Sequence, residues 1–139
     1  MSCMLRISGV ELDIDELVKS VDLPFEKLYR RGQPKSEFNP DLGVFEKSGC
    51  NILVSKAGFT ELPTQHSDAV EFLTDHLNKI EALSSWTDVD SAVLDFGTEI
   101  NPETVAKYIG PPKSLIRLIA KTDLDIEYSV YRCSDEQSN

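Results

Sequence analysis

Two segments of the chain run in the same register 88 positions apart. "GVELDIDELVKSVDLP" (Gly9–Pro24) and "GTEINPETVAKYIGPP" (Gly97–Pro112) align over 16 positions without a gap. Glu11 falls on Glu99, Leu12 on Ile100, Asp13 on Asn101, Leu17 on Val105 and Lys19 on Lys107. Each segment follows an alternating run. Cys3, Leu5 and Ile7 precede the first; Ala92, Leu94 and Phe96 precede the second. Period two marks a half-buried strand. Past Gly9 the period changes. Ile14, Leu17, Val18 and Val21 recur at helical spacing, and Asp13 with Glu16 forms a capping-box pattern. Pro24 stops that helix. In the second copy Asn101 is the expected cap, Pro102 the first helical residue, and Gly110-Pro111-Pro112 the stop. The reading is one unit used twice: a strand, a tight turn and a capped helix.

The residues between the copies supply the other elements. "FEKLYRRG" is an extended segment. Ser48-Gly49 reads as a hairpin turn between Val44–Lys47 and Cys50–Lys56. Val70, Leu73, Leu77 and Ile80 stripe one long helix capped by Ser67. "SLIRLIAK" is a short helix or turn. In "LDIEYSVYRC" the residues Leu124, Ile126, Tyr128 and Val130 face inward and alternate with polar ones, the pattern of a sheet with one wet face. The order implies α+β: a single mixed or antiparallel sheet with helices packed on one face. A ferredoxin-like βαββαβ core followed by an extra αβ unit is the topology that fits. Residues 1–133 form a single domain, and 134–139 a polar tail.

At 139 residues the chain buries enough surface to need neither disulfide nor metal. Its 24 acidic and 14 basic residues give a net charge of -10. That balance repels nucleic acid and anionic membranes and favours cationic partners, besides conferring solubility. Cys3, Cys50 and Cys133 are dispersed, with no paired spacing, which fits a reducing cytoplasm. The N-terminus has no signal-peptide pattern, and no run approaches the length of a membrane span. A cytoplasmic location is expected.

Signatures of phosphate loops, zinc proteases and serine hydrolases are missing from the sequence. His66 and His76, ten positions apart, do not match a metal-ligand spacing and read as a helix-flank and a surface histidine. Cys50 lies in an apolar run and reads as a buried, inert thiol. No catalytic residue, metal site or cofactor is expected. One cationic cluster stands out: Lys27, Arg30, Arg31 and Lys35, with Tyr29 among them. It is a candidate anion or ligand site, since arginines grip carboxylates and phosphates in bidentate fashion. The plain alternative is a loop that answers the chain's own acids. Capping explains most acids near Asp13 and Glu103. It does not explain Glu71, Asp75, Asp88 and Asp90, the candidates for a negative face that meets a basic protein.

The opening "LRISGVELDIDELVKSVDLPFEKLYRRGQP" resembles the bacterial domain of unknown function 4279 family. The likeness rests on Arg6–Gly9, Asp13–Glu16, Pro24 and Arg31-Gly32, then on Gly43-Val44-Phe45-Glu46, where Phe45 replaces the family's tryptophan. The long helix and "LDIEYSVY" extend it over nearly the whole chain. The resemblance implies no catalytic residues. It does imply an immunity-type function for some members, namely neutralising a toxin. The expectation is a non-catalytic protein-binding module, its partner another protein such as a basic toxin domain. The alternative is a small-ligand or regulatory domain using the Arg30/Arg31 loop.

Overall fold

Alternation in the first nine residues becomes a strand, β1 (Cys3–Gly9), at the centre of one mixed sheet. The computed structural model describes residues 2–133, so the polar tail expected at 134–139 lies outside it. The chain continues through α1 (Ile14–Ser20), β2 (Phe25–Tyr29), β3 (Ser48–Ser55), α2 (Leu62–Asp75) and α3 (Leu77–Ser84). It closes with β4 (Ser91–Ile100), α4 (Lys113–Thr122) and β5 (Asp125–Arg132). The five strands lie in the order β2-β3-β1-β4-β5. The first four are antiparallel to their neighbours, and β5 runs parallel to β4. The fold is α+β with a single sheet.

Side-chain alternation decides which face is covered. Cys3, Leu5 and Ile7 of β1 pair in register with Phe96, Leu94 and Ala92 of β4. All six are buried in one cluster with Ile52, Leu17, Leu73, Ile80, Leu83 and Leu115. Each such leucine removed from water contributes about 1.5–3 kcal/mol. The alternate residues of β1, Met4, Arg6 and Ser8, point to the other face and keep solvent contact. One face therefore carries the core and the other stays open.

Helix α1 forms as its sequence requires. Asp13 is the N-cap, accepting from the Glu16 backbone N–H, and Ile14 and Leu17 are buried. The second copy departs from the expectation. Strand β4 does not end at Gly97 but pairs with β5 as far as Ile100. Residues 101–112 form no helix, and α4 starts only at Lys113, past the prolines. Asn101 still makes its capping bond, to the Glu103 N–H at 3.0 Å. The apolar face that should follow has nothing to pack on: Val105 and Tyr108 are 101% and 93% exposed. The strand-turn-helix unit is thus built once.

Three other expectations are corrected. The long helix starts at Leu62, with Pro63 in its first turn, not at Ser67. It breaks at His76, whose φ of -121° leaves the helical region, into α2 and α3. Ser48-Gly49 is not a turn but the start of β3; Val44 makes only an isolated bridge to Pro34. In β5, Ile126 and Val130 share the core face, in register with the buried Leu94 and Thr98, but stay 37% and 49% exposed because β5 is an edge strand. Among the described residues no helix is long and apolar enough to cross a membrane.

Candidate functional site

A cleft of about 700 Å³ lies between α2, the end of β4 and the 101–112 segment. Helix α2 supplies His66, Ser67 and Val70; β4 supplies Thr98; the segment supplies Lys107 and Tyr108. The first turns of α2 and α4 both border it, through Pro63 and Ser114. Helix N-termini carry partial positive charge.

The polar groups in this cleft are fixed by the fold. Thr98 Oγ1 donates to the Phe59 carbonyl at 3.1 Å and accepts from Lys107 Nζ at 2.6 Å. Lys107 Nζ also donates to the Glu99 carbonyl. Among the described residues no carboxylate forms an ion pair with Lys107. His66, expected at a helix flank, sits inside α2 and is buried. Its Nε2 shares a hydrogen bond with Tyr128 Oη at 2.8 Å, and its ring meets Phe96 edge-on at 4.9 Å. Burial disfavours the imidazolium and lowers the His66 pKa. Burial also pushes the Tyr128 hydroxyl up to about 12, with Cys3 adding to it. Gln65, one residue earlier, ties α2 to β4 by donating to the Gly58 and Gly97 carbonyls at 2.9 and 2.7 Å.

A second concavity of about 560 Å³ lies on the open face of the sheet. Here the sequence candidates divide. Lys27 and Lys35 line this groove together with Arg6 and Lys47. Arg30 and Arg31 do not. Arg30 forks onto Asp15, with Nε to Oδ2 at 2.9 Å, and Arg31 reaches Glu11 at 3.1 Å. Both arginines therefore answer acids at the start of α1, and the Arg30 bond holds the Asp15 carboxyl below its ordinary range.

Lys27 reaches the groove through a bulge. Glu26 pairs with Asn51 and Tyr29 with Gly49, so Lys27 and Leu28 together oppose the single residue Cys50. The extra residue lets Leu28 pack on the core while Tyr29 lies over Gly49 on the open face. A Cβ at Gly49 would collide with the Tyr29 ring end and with the Ile7 carbonyl. Lys27 itself has φ +45°, a left-handed conformation that costs a residue with a Cβ roughly 1 kcal/mol.

The acidic candidates also separate. Glu71 and Asp75 line a shallow hollow with Asp68, Phe72 and His76 beside Val54. Asp90 instead accepts from the Val10 N–H at 2.9 Å, and Asp88 places its carbonyl against Gly9. Val54 lies toward the Cys3 end of β1, and Asp88 and Asp90 at the Gly9 end, about 20 Å away along the strand. Asp88 and Asp90 thus have a local structural duty. Sequence reasoning missed Arg6, Lys47, His66 and Lys107. Arg6 and Lys47 sat outside the one cationic run, and Lys107 was absorbed into a helix that does not form. Among the described residues no three His, Cys, Asp or Glu side chains are grouped to hold a metal. Comparison with known proteins gives no match: no family model fits the chain, and no curated protein and no solved structure is similar to it.

Proposed function

We propose that this is a non-catalytic binding domain whose α2–β4 cleft takes a small molecule with an apolar body and one carboxylate. The observation that carries the reading is Lys107. Its ammonium is held at the cleft wall by two neutral oxygens, and it forms no ion pair with a carboxylate among the described residues. Such an ammonium favours an anion, and the bordering helix N-termini favour one as well. Leu62, Val70 and Tyr108 offer the apolar contact such a body needs. The fold supports the same division of labour. The order β2-β3-β1-β4, with all neighbours antiparallel, fits a ferredoxin-like core, and α4–β5 is the added unit that completes the cleft.

The test is an amide chemical-shift titration with a series from acetate to benzoate. Shifts at Ser67, Val70, Thr98 and Ser114 that grow with the apolar body support the reading. They should weaken about tenfold in Lys107→Met, the usual worth of a charged hydrogen bond. Equal shifts in wild type and variant would refute it.

The hollow of Asp68, Glu71 and Asp75 favours a second reading. In it the domain is an immunity-type module that neutralises a basic toxin domain in the cytoplasm, steered by the net charge of -10. The likeness of the Arg6–Gly9 and Asp13–Glu16 motifs to a family with immunity-type members supports it. Co-expression with a toxin encoded beside the gene, with and without Glu71→Lys and Asp75→Lys, tests it. Rescue that the reversals leave intact counts against this surface, and no rescue counts against the reading.

A further inference from the structure

The open-face groove has a chemistry of its own, on the opposite side of the sheet from the core. Arg6, Lys27, Lys35 and Lys47 line it against two acids, Glu46 and Glu127. An excess of basic side chains in one concavity runs against the composition of a chain with net charge -10. Arg6 is already held by Asp95, 2.7 Å away and buried, which also accepts from Ser129 at 2.8 Å. The three lysines have no ion-pair partner among the described residues.

The same groove has an aromatic wall. Tyr29 and Phe45 stack with ring centres 4.6 Å apart, both half-buried. Beside them Asn51 presents an amide that both donates and accepts. Three groups of different type therefore converge: mobile cations, a stacked ring pair and an amide.

The bulge in β2 is the independent observation. Among the described residues the non-glycine residues with positive φ are Lys27, Asp88 and Asp123. Aspartate is enriched in that region and lysine is not. A glycine or asparagine at position 27 would serve the backbone better. A strained lysine at the edge of a cationic groove marks a side chain held for its charge.

We infer that this groove binds a nucleoside monophosphate, with the phosphate on Lys27, Lys35 and Lys47 and the base against the Tyr29–Phe45 wall. The modest local excess of positive charge suits one phosphate. The net charge of the whole chain opposes a long nucleic acid strand. The site is separate from the cleft under residues 101–112 and does not depend on it.

The experiment is an amide chemical-shift titration at low ionic strength with AMP, GMP, CMP and UMP. Ribose 5-phosphate, inorganic phosphate and a short oligouridylate serve as the other arms. The expected result is saturable shifts at Lys27, Tyr29, Lys47 and Asn51 for at least one nucleotide, with the two base-free phosphates weaker by about tenfold, the worth of one stacked base. Lys27→Asn should weaken binding about tenfold, as loss of a charged hydrogen bond does, while its melting temperature stays equal or rises. This variant keeps a backbone-compatible residue, so loss of binding is not loss of fold. Several results would overturn the inference: no shifts with any nucleotide, or shifts confined to Ser67, Val70 and Ser114. Equal binding of ribose 5-phosphate would remove the base from the site. Tighter binding of the oligouridylate than of UMP would make it a strand site instead. Unchanged affinity in Lys27→Asn would remove the lysine.

Discussion

Gly9 lies against the carbonyl oxygen of Asp88, and a Cβ added there would collide with it and crowd Leu12. The sequence marks Gly9 as the end of a strand, which it is. It does not show that a turn 79 residues later presses on it, because that contact exists only once β4 pairs with β1. Gly9→Ala should lower stability by about 1–3 kcal/mol, the usual cost of overpacking, read as a fall in urea midpoint. A midpoint equal to wild type would show that the turn yields freely. His66 was equally illegible: its position at a helix start says nothing of Tyr128, 62 residues away. Its folded pKa lies below the ordinary 6.5 because burial disfavours the cation. The unfolded chain therefore takes up a proton near pH 6.5 that the folded chain resists. Stability from this group is complete above that pH and is lost as pH falls below it. Urea unfolding at pH 7.5 and pH 5.5 should give a smaller loss in His66→Gln than in wild type. Equal losses would mean that His66 protonates freely in the fold.

Side-chain bonds to nearby backbone are local, and both copies of the repeated segment make one, although only Asp13 caps a helix. Asp13 and Asn101 each accept a backbone N–H where their sequence places them. Whether a helix follows is not local. Ile14 and Leu17 of α1 find the core and fall to 2% and 0% exposure. Val105, at the position matching Leu17, finds nothing. A helix of two turns is unstable in water without such burial, so the second copy stays irregular despite its Asn101 bond and its proline. Hydrogen exchange checks this directly. Amides of 101–112 should exchange near the unprotected rate, while those of β1 and the paired part of β4 are slowed by the global stability. Strong protection across residues 103–109 would mean that the helix forms after all. The bulge at Lys27-Leu28 was illegible for a related reason. Only the register against β3 reveals that two residues oppose one.

Two hollows on opposite sides of the sheet concentrate opposite charges, which composition alone conceals. Arg6, Lys27, Lys35 and Lys47 gather on the open side of the sheet. Asp68, Glu71 and Asp75 gather on the helical side, along α2. With net charge -10 the folded state is opposed by its own repulsion, and salt relieves that over a Debye length of about 10 Å at 0.1 M. The melting temperature should therefore rise as NaCl increases from low concentration to about 0.3 M. Replacing Glu71 and Asp75 by lysine should raise the low-salt melting temperature and flatten that rise. Replacing Lys27 and Lys35 by glutamate should lower it and steepen the rise. Each exposed charge is worth a few tenths to about 1 kcal/mol, so the paired variants are needed to exceed experimental scatter. If both pairs shift the melting temperature alike, or salt has no effect, the repulsion is answered locally. The sorting of charge would then bear on encounter with partners and not on stability.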